Sequence, residues 1–127
     1  MSMFAFALLL GASPGCDKDV TQLDLTECAS RAFGEADRAL NAQWKITLAE
    51  MRKRDADPEE QEMMGRPGFA DALLASQRTW LVYRDAQCLL ERLQAHGGSM
   101  ATMLELMCKA SLTGDRTGAL RDAIKEN

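Results

Sequence analysis

Histidine is almost absent from this chain of 127 residues, which contains only His96. A structural zinc site normally needs closely spaced cysteines or histidines as ligands. A cysteine nucleophile normally needs a histidine nearby as its base. The four cysteines include no Cys-x-x-Cys pair, and no serine or cysteine motif accompanies His96 at its predicted glycine turn. The chain also lacks a glycine-rich loop of the kind that cradles phosphate. We therefore expect no metal site, no cofactor and no enzymatic activity.

An excess of basic side chains is also missing. The chain carries 19 acidic and 15 basic residues, and its formal net charge is −4. A protein that binds nucleic acid usually presents a basic stripe to the phosphates. The composition disfavours a nucleic-acid partner and permits a basic protein partner, while a mildly acidic charge also serves solubility alone in many domains.

Long hydrophobic runs are absent as well. The apolar run at residues 3–10 is too short to cross a bilayer but has the length of a signal-peptide core. We expect residues 1–15 to be an export signal with a truncated or wrongly assigned start, because no Lys or Arg precedes the run. A lipid anchor on Cys16, which would tether the chain to a membrane, is a weaker interpretation, because Ser13 occupies a position where lipidation normally needs an aliphatic residue.

No segment alternates like a β-strand, whereas apolar residues recur at helical spacing. In the first part of the chain these residues are Leu25, Cys28, Ala32, Ala36, Leu40, Trp44, Leu48 and Met51. They predict a long first helix over residues 23–54, which Thr21 caps. Pro58 after Asp57 predicts a short helix through Met64, and a second long helix is expected over residues 69–95. The predicted fold is all-α.

A third long helix is expected after Gly97 and Gly98, with Ser99 as its N-cap. Its methionines lie at helical spacing among leucines, which is typical of a packed core rather than of a copper site. Thr113 and Gly114 are expected to interrupt or kink this helix, and residues 116–124 to form a last helical stretch.

The four cysteines suggest disulfides. Cys88 lies nine residues before Gly97 and Cys108 nine residues after Ser99, so a helical hairpin that turns at the glycines places both sulfurs at the same height. Cys16 then pairs with Cys28 by elimination, although four cysteines allow three connectivities. Disulfides persist outside the cytoplasm, and we expect a periplasmic or secreted protein.

Two polar residues, Gln77 and Arg84, share the apolar face of the second long helix with Leu73. Arg84 would need a carboxylate partner in the interior, and Asp37 of the first helix is our candidate. Trp80 is predicted to be buried structure, since it shares a face with Leu73 and Leu81. A cation–π pair with Arg84, one turn later, is an alternative. Trp80 and Tyr83 could alternatively form a recognition surface.

These residues also form a recognisable pattern along residues 16–120. The pattern comprises Cys28, Asp37, Asn41 and Trp44, then Gln77, Arg78, Trp80, Tyr83, Arg84, Asp85 and Cys88, then Gly97, Gly98, Ser99 and Met100, and finally Cys108, Thr113 and Arg116. In this order and spacing the chain resembles the lysozyme inhibitor LprI family. The resemblance implies a small helical domain, here residues 16–127, from the bacterial cell envelope.

The resemblance implies inhibition of lysozyme, a muramidase. Such inhibition would work by occlusion of a typically basic enzyme. The acidic connection after the first helix is the expected contact surface, and it contains Asp55, Asp57, Glu59, Glu60 and Glu62. The alternative is an envelope interaction or scaffolding module with an unrelated partner.

Overall fold

Four helices account for the described part of the chain in this computed structural model, which describes Cys16, residues 21–64 and residues 68–125. The helices are α1 (Gln22–Asp55), α2 (Pro58–Met64), α3 (Phe69–Leu93) and α4 (Ala101–Asp122). No strand occurs within these ranges, which confirms the predicted all-α fold. Among the described helices, none combines the length and apolar character that crossing a bilayer requires. The export signal expected in residues 1–15 lies outside the described residues.

The long helix α1 contacts all three other helices, and its most extensive contacts are with α4. Helix α1 begins after its N-cap Thr21, whose Oγ1 accepts the N–H of Asp24 at 3.1 Å, as the sequence predicts. Basic residues fill its last turn and complement the negative end of the helix dipole. With 34 residues it is about 50 Å long, which gives α3 and α4 a common support.

The short helix α2 also begins where the sequence predicts. Asp57 Oδ1 accepts the N–H of Glu59 at 3.0 Å, and Pro58 occupies the first helical position. The start of α3 is capped from a distance, because the Asp55 carboxylate accepts the N–H of Phe69 at 2.8 Å and that of Ala70 at 3.0 Å. The last residue of α1 thus bonds to the first residues of α3, which holds the two ends of the connection together.

The turn between α3 and α4 contains two residues with left-handed backbone conformations, His96 (φ 50°) and Gly97 (φ 76°). Glycine adopts this conformation without steric cost. The predicted N-cap at Ser99 is wrong. The helix begins at Ala101, after a turn that includes Met100, and it has no side-chain cap.

The interruption expected at Thr113 and Gly114 is also wrong, because α4 is continuous from Ala101 to Asp122. The Thr113 side chain is fully buried, and its carbonyl accepts the hydroxyl of Thr117 at 3.1 Å. Tertiary packing therefore overrides the weak helix propensity of this dipeptide.

Two disulfides have the connectivity that the sequence predicts. Cys88 of α3 is bonded to Cys108 of α4, with a Cα–Cα distance of 5.4 Å, and Cys88 is completely buried. Cys16 is bonded to Cys28 of α1, with a Cα–Cα distance of 5.6 Å. Because this bond occupies the Cys16 sulfur, a lipid anchor there is incompatible with it.

The core lies between α1, α3 and the C-terminal half of α4. Its buried members are Leu40, Met51, Leu73 and Leu120, and Trp44 and Trp80 are among the partly buried residues that pack against them. One polar bridge crosses this core: the fully buried Thr47 donates its hydroxyl to the carbonyl of Leu120 at 2.9 Å. This bond satisfies a carbonyl near the end of α4 that has no partner within its own helix.

Candidate functional site

Arg84 is the centre of a cluster of motif residues between the helices. It is only 8% exposed, and its guanidinium lies 5.3 Å from the ring centroid of Trp80 and 5.3 Å from that of Phe33 on α1. Its Nη1 also donates to Thr113 Oγ1 of α4 at 3.4 Å. One side chain of α3 therefore joins three helices, through a cation–π contact with Phe33 of α1 and a hydrogen bond to Thr113 of α4.

The carboxylate partner of Arg84 is Asp85, and the predicted partner Asp37 is wrong. Arg84 Nε and Nη2 each lie 3.0 Å from Asp85 Oδ1. Asp37 is half-buried on α1 and forms no ion pair among the described residues. Because the Asp85 side chain remains 56% exposed, the charge of Arg84 is balanced without the burial of a carboxylate.

Arg116 of α4 lies against Trp80, with its guanidinium 5.8 Å from the ring. Its Nε donates to Gln77 Oε1 at 2.8 Å, and its Nη2 donates to Ser76 Oγ at 3.0 Å. Partial burial lowers the pKa of Arg116 from its ordinary value. Trp80 is therefore held by two guanidiniums, and the motif residues of α3 and α4 form one network.

A shallow open depression of about 500 Å³ lies beside this network. It is lined by Ala75, Ser76, Thr79, Trp80, Tyr83 and Arg116. Trp80 packs against the core from one side and lines the depression from the other, so it is both structural and accessible. Tyr83 is 54% exposed, which leaves the phenol available for contact with a partner.

Only some carboxylates of the acidic connection proposed as a contact surface are engaged in hydrogen bonds within the chain. The Asp55 carboxylate is occupied by the start of α3, and Asp57 caps α2. Glu59 and Glu62 are exposed on α2, and Glu60 is half-buried. A contact between these carboxylates and a partner stays a prediction.

The remaining motif residues lie in several different environments. Asn41 and Arg78 are exposed, Trp44 packs against the core, and Gly97, Gly98 and Ser99 form the exposed turn of the hairpin. Sequence reasoning missed Phe33, Thr47 and Ser76, which complete the network and the core. Phe33 lies among the helix positions of α1 and carries no signal of its own, because its role depends on which helix packs beside it.

Possible metal ligands are not grouped in the described ranges, where no three His, Cys, Asp or Glu side chains come close enough to hold an ion. The arrangement of the network around Trp80 offers donors and an aromatic face. It suits the binding of another molecule by contact.

Comparison with known proteins gives the chain its family. The family model described as lysozyme inhibitor LprI matches residues 15–120. An uncharacterized protein of Rhizobium meliloti (strain 1021) is 38% identical over 112 residues, which cover 88% of this chain and 80% of the relative. No solved structure matches the chain significantly. Because the family model matches most of its residues, the chain belongs to the lysozyme inhibitor LprI family.

Proposed function

We propose that this protein is exported to the cell envelope or beyond, where it binds a lysozyme and occludes its active-site cleft. The observation that carries the proposal is the family match over residues 15–120. The inhibitor itself performs no reaction, so its effect depends on a rigid surface and on affinity. Rigidity comes from the packed helices and from two disulfides, of which one joins α3 to α4 and the other joins Cys16 to α1.

The proposed location outside the cytoplasm is supported by the cysteines. In the described structure all four are paired in disulfides, and no free cysteine remains. Such bonds form and persist in oxidising compartments such as the periplasm. A periplasmic or secreted protein would meet a lysozyme before that enzyme reaches the cell wall.

The contact surface that we propose is α2 with the residue before it. Asp57, Glu59, Glu60 and Glu62 place four carboxylates within six residues. Gln61 anchors this segment to α1, because its Nε2 donates to the carbonyl of Asp55 at 2.6 Å. Lysozymes are typically basic, so these charges would steer association and make it weaken with salt.

The surface is tested by charge reversal in a muramidase turbidity assay. The variant Glu59→Lys/Glu62→Lys is compared with Glu27→Lys/Glu35→Lys, which reverses two exposed carboxylates on α1. Both variants change the net charge by the same amount. We expect the α2 variant alone to weaken inhibition, by about tenfold or more, and to reduce its salt dependence. Equal inhibition by both variants and the wild type would contradict α2 as the contact.

A second function, an envelope interaction module with another partner, is favoured by exposed apolar residues on α3. Val82 is 72% exposed, Leu93 61% and Leu89 48%. An exposed apolar surface of this kind marks an interaction site in many proteins. Failure of the oxidised protein to inhibit lysozymes of several types would leave this function.

A further inference from the structure

The side of α3 that faces away from the bundle is apolar along its whole length except at Thr79, whose hydroxyl donates to the Ala75 carbonyl of its own helix. We name this side the outer face, and it consists of Ala72, Ala75, Thr79, Val82, Ala86, Leu89 and Leu93, all of which are exposed. The opposite side of α3 carries the buried residues Leu73, Arg84 and Cys88. A helix that is apolar on two sides normally has a neighbour on each of them. In the described structure α3 has neighbours only on its inner side.

The spacing of the outer face is that of a coiled coil. Its residues follow one another at alternating intervals of three and four positions, as the a and d positions of a heptad do. With Ala72 as a, the d positions are Ala75, Val82 and Leu89. The outer face is therefore patterned to pack against another helix.

Charged residues flank the outer face at the heptad position that precedes a. These are Asp71, Arg78, Asp85 and Arg92, which alternate in sign at intervals of seven. When two α3 helices lie antiparallel with Thr79 opposite Val82 of the second copy, Asp71 faces Arg92 and Arg78 faces Asp85 across the interface. A two-fold axis repeats each pair, so that four opposite-charge pairs line the interface.

The parallel arrangement lacks this complementarity. In a parallel pair each of these charges would face the position after d, where Ser76, Tyr83 and Leu90 lie. Asp85 and Arg92 also bond within their own chain, to Arg84 and Glu105. Their side chains nevertheless remain 56% and 41% exposed, which leaves them free to meet a second copy.

We propose that two copies of this chain form an antiparallel, two-fold symmetric dimer through the outer face of α3. The small residues allow close approach, because Ala72 lies opposite Leu89 and Ala75 opposite Ala86 in this register. Tyr83 of each copy comes to lie over the depression beside Trp80 and Arg116 of the other. This contact of Tyr83 thus covers the shallow depression beside Trp80 of the second copy.

The available area suits a dimer. The outer face together with Tyr83 and Leu90 exposes roughly 700 Å² per copy, which sets the most that these residues can bury and is of the order of the ~800 Å² per partner of a stable specific interface. A basic enzyme fits this surface less well, because two aspartates and two arginines give its flank no net charge. The alternating charges match a second copy of the same helix.

Sedimentation equilibrium of the oxidised full chain tests the dimer. We expect a mass of twice 14.0 kDa at micromolar concentration. Val82→Glu places two carboxylates at the centre of the interface, and it should weaken the dimer about 100-fold or more. Ile46→Glu on α1, also an exposed aliphatic residue, is the matched control and should remain dimeric. Circular dichroism checks that both variants keep the wild-type helix content.

Charge exchange tests the antiparallel register. Asp71→Arg alone places like charges opposite Arg92 and should weaken the dimer about tenfold, whereas Asp71→Arg/Arg92→Asp should restore it. A wild-type chain that is monomeric at about 100 μM, or a double variant that fails to restore association, would overturn the proposal. A monomer whose Val82→Glu variant loses muramidase binding would assign the outer face to the enzyme instead. Because sedimentation requires no muramidase, failure of the dimer and failure of the proposed inhibition are distinguishable.

Discussion

Replacement of both Cys88 and Cys108 by alanine removes the covalent link between α3 and α4. The link closes a loop of 20 residues, and in the chain-entropy account its loss costs about 3 kcal/mol of folding free energy. Loss of the buried sulfur contacts adds on the order of 1 kcal/mol. We expect the double variant to be about 3 to 4 kcal/mol less stable than the oxidised wild type.

Urea unfolding followed by circular dichroism measures this loss. Cys16→Ala/Cys28→Ala is the matched variant, and its shorter loop of 12 residues predicts an entropic loss about 0.5 kcal/mol smaller. Because the disulfide acts mainly on the unfolded chain, its removal should also raise the dependence of stability on urea. A loss below about 1 kcal/mol, with unchanged urea dependence, would refute the view that the hairpin relies on its covalent link.

Three further substitutions test individual contacts by thermal unfolding. Thr47→Val removes the donor to a buried carbonyl of α4 and the acceptor of the buried Gln43 amide, and it should cost about 1 to 3 kcal/mol. Thr26→Val loses two bonds, both to Gln22 in its own helix, and should cost about 0.5 kcal/mol or less. Asp55→Ala uncaps α3 and should cost about 1 to 2 kcal/mol, with Asp55→Asn intermediate. Arg84→Lys keeps the charge but loses the guanidinium geometry that reaches Asp85 and Thr113 together and weakens both cation–π contacts, so we expect a loss of about 1 to 2 kcal/mol. Unchanged melting temperatures would contradict each of these assignments.

The parts of the fold that sequence reasoning predicted well depend on local signals. Thr21 caps α1 and Asp57 caps α2 through bonds to residues two or three positions away. The cysteine pair of the hairpin was predictable because helical rise and a glycine turn place Cys88 and Cys108 at equal heights. Caps can be predicted from the sequence because they involve residues a few positions apart. The cysteine pair can be predicted because the regular rise of a helix fixes the height of each residue.

The errors concern contacts whose geometry no local pattern contains. Periodicity placed Arg84 on the inner face of α3, but it could not show that the adjacent Asp85 would reach back to it while Asp37 remained apart. The Thr113 position looked like a break, because its burial and its hydrogen bond with Arg84 of α3 could not be known from the sequence. Asp55 caps a helix that starts 14 residues later, and only the folded connection brings them together.

The most direct test of the account is a titration of a basic lysozyme with the oxidised protein at low ionic strength, followed by the rate of cell-wall clearing. Occlusion predicts that residual activity falls with each addition and reaches zero at a fixed molar ratio, that salt weakens the effect, and that the boiled and reduced protein has none. Full lysozyme activity at a large molar excess of the oxidised protein, for enzymes of several types, would contradict the account.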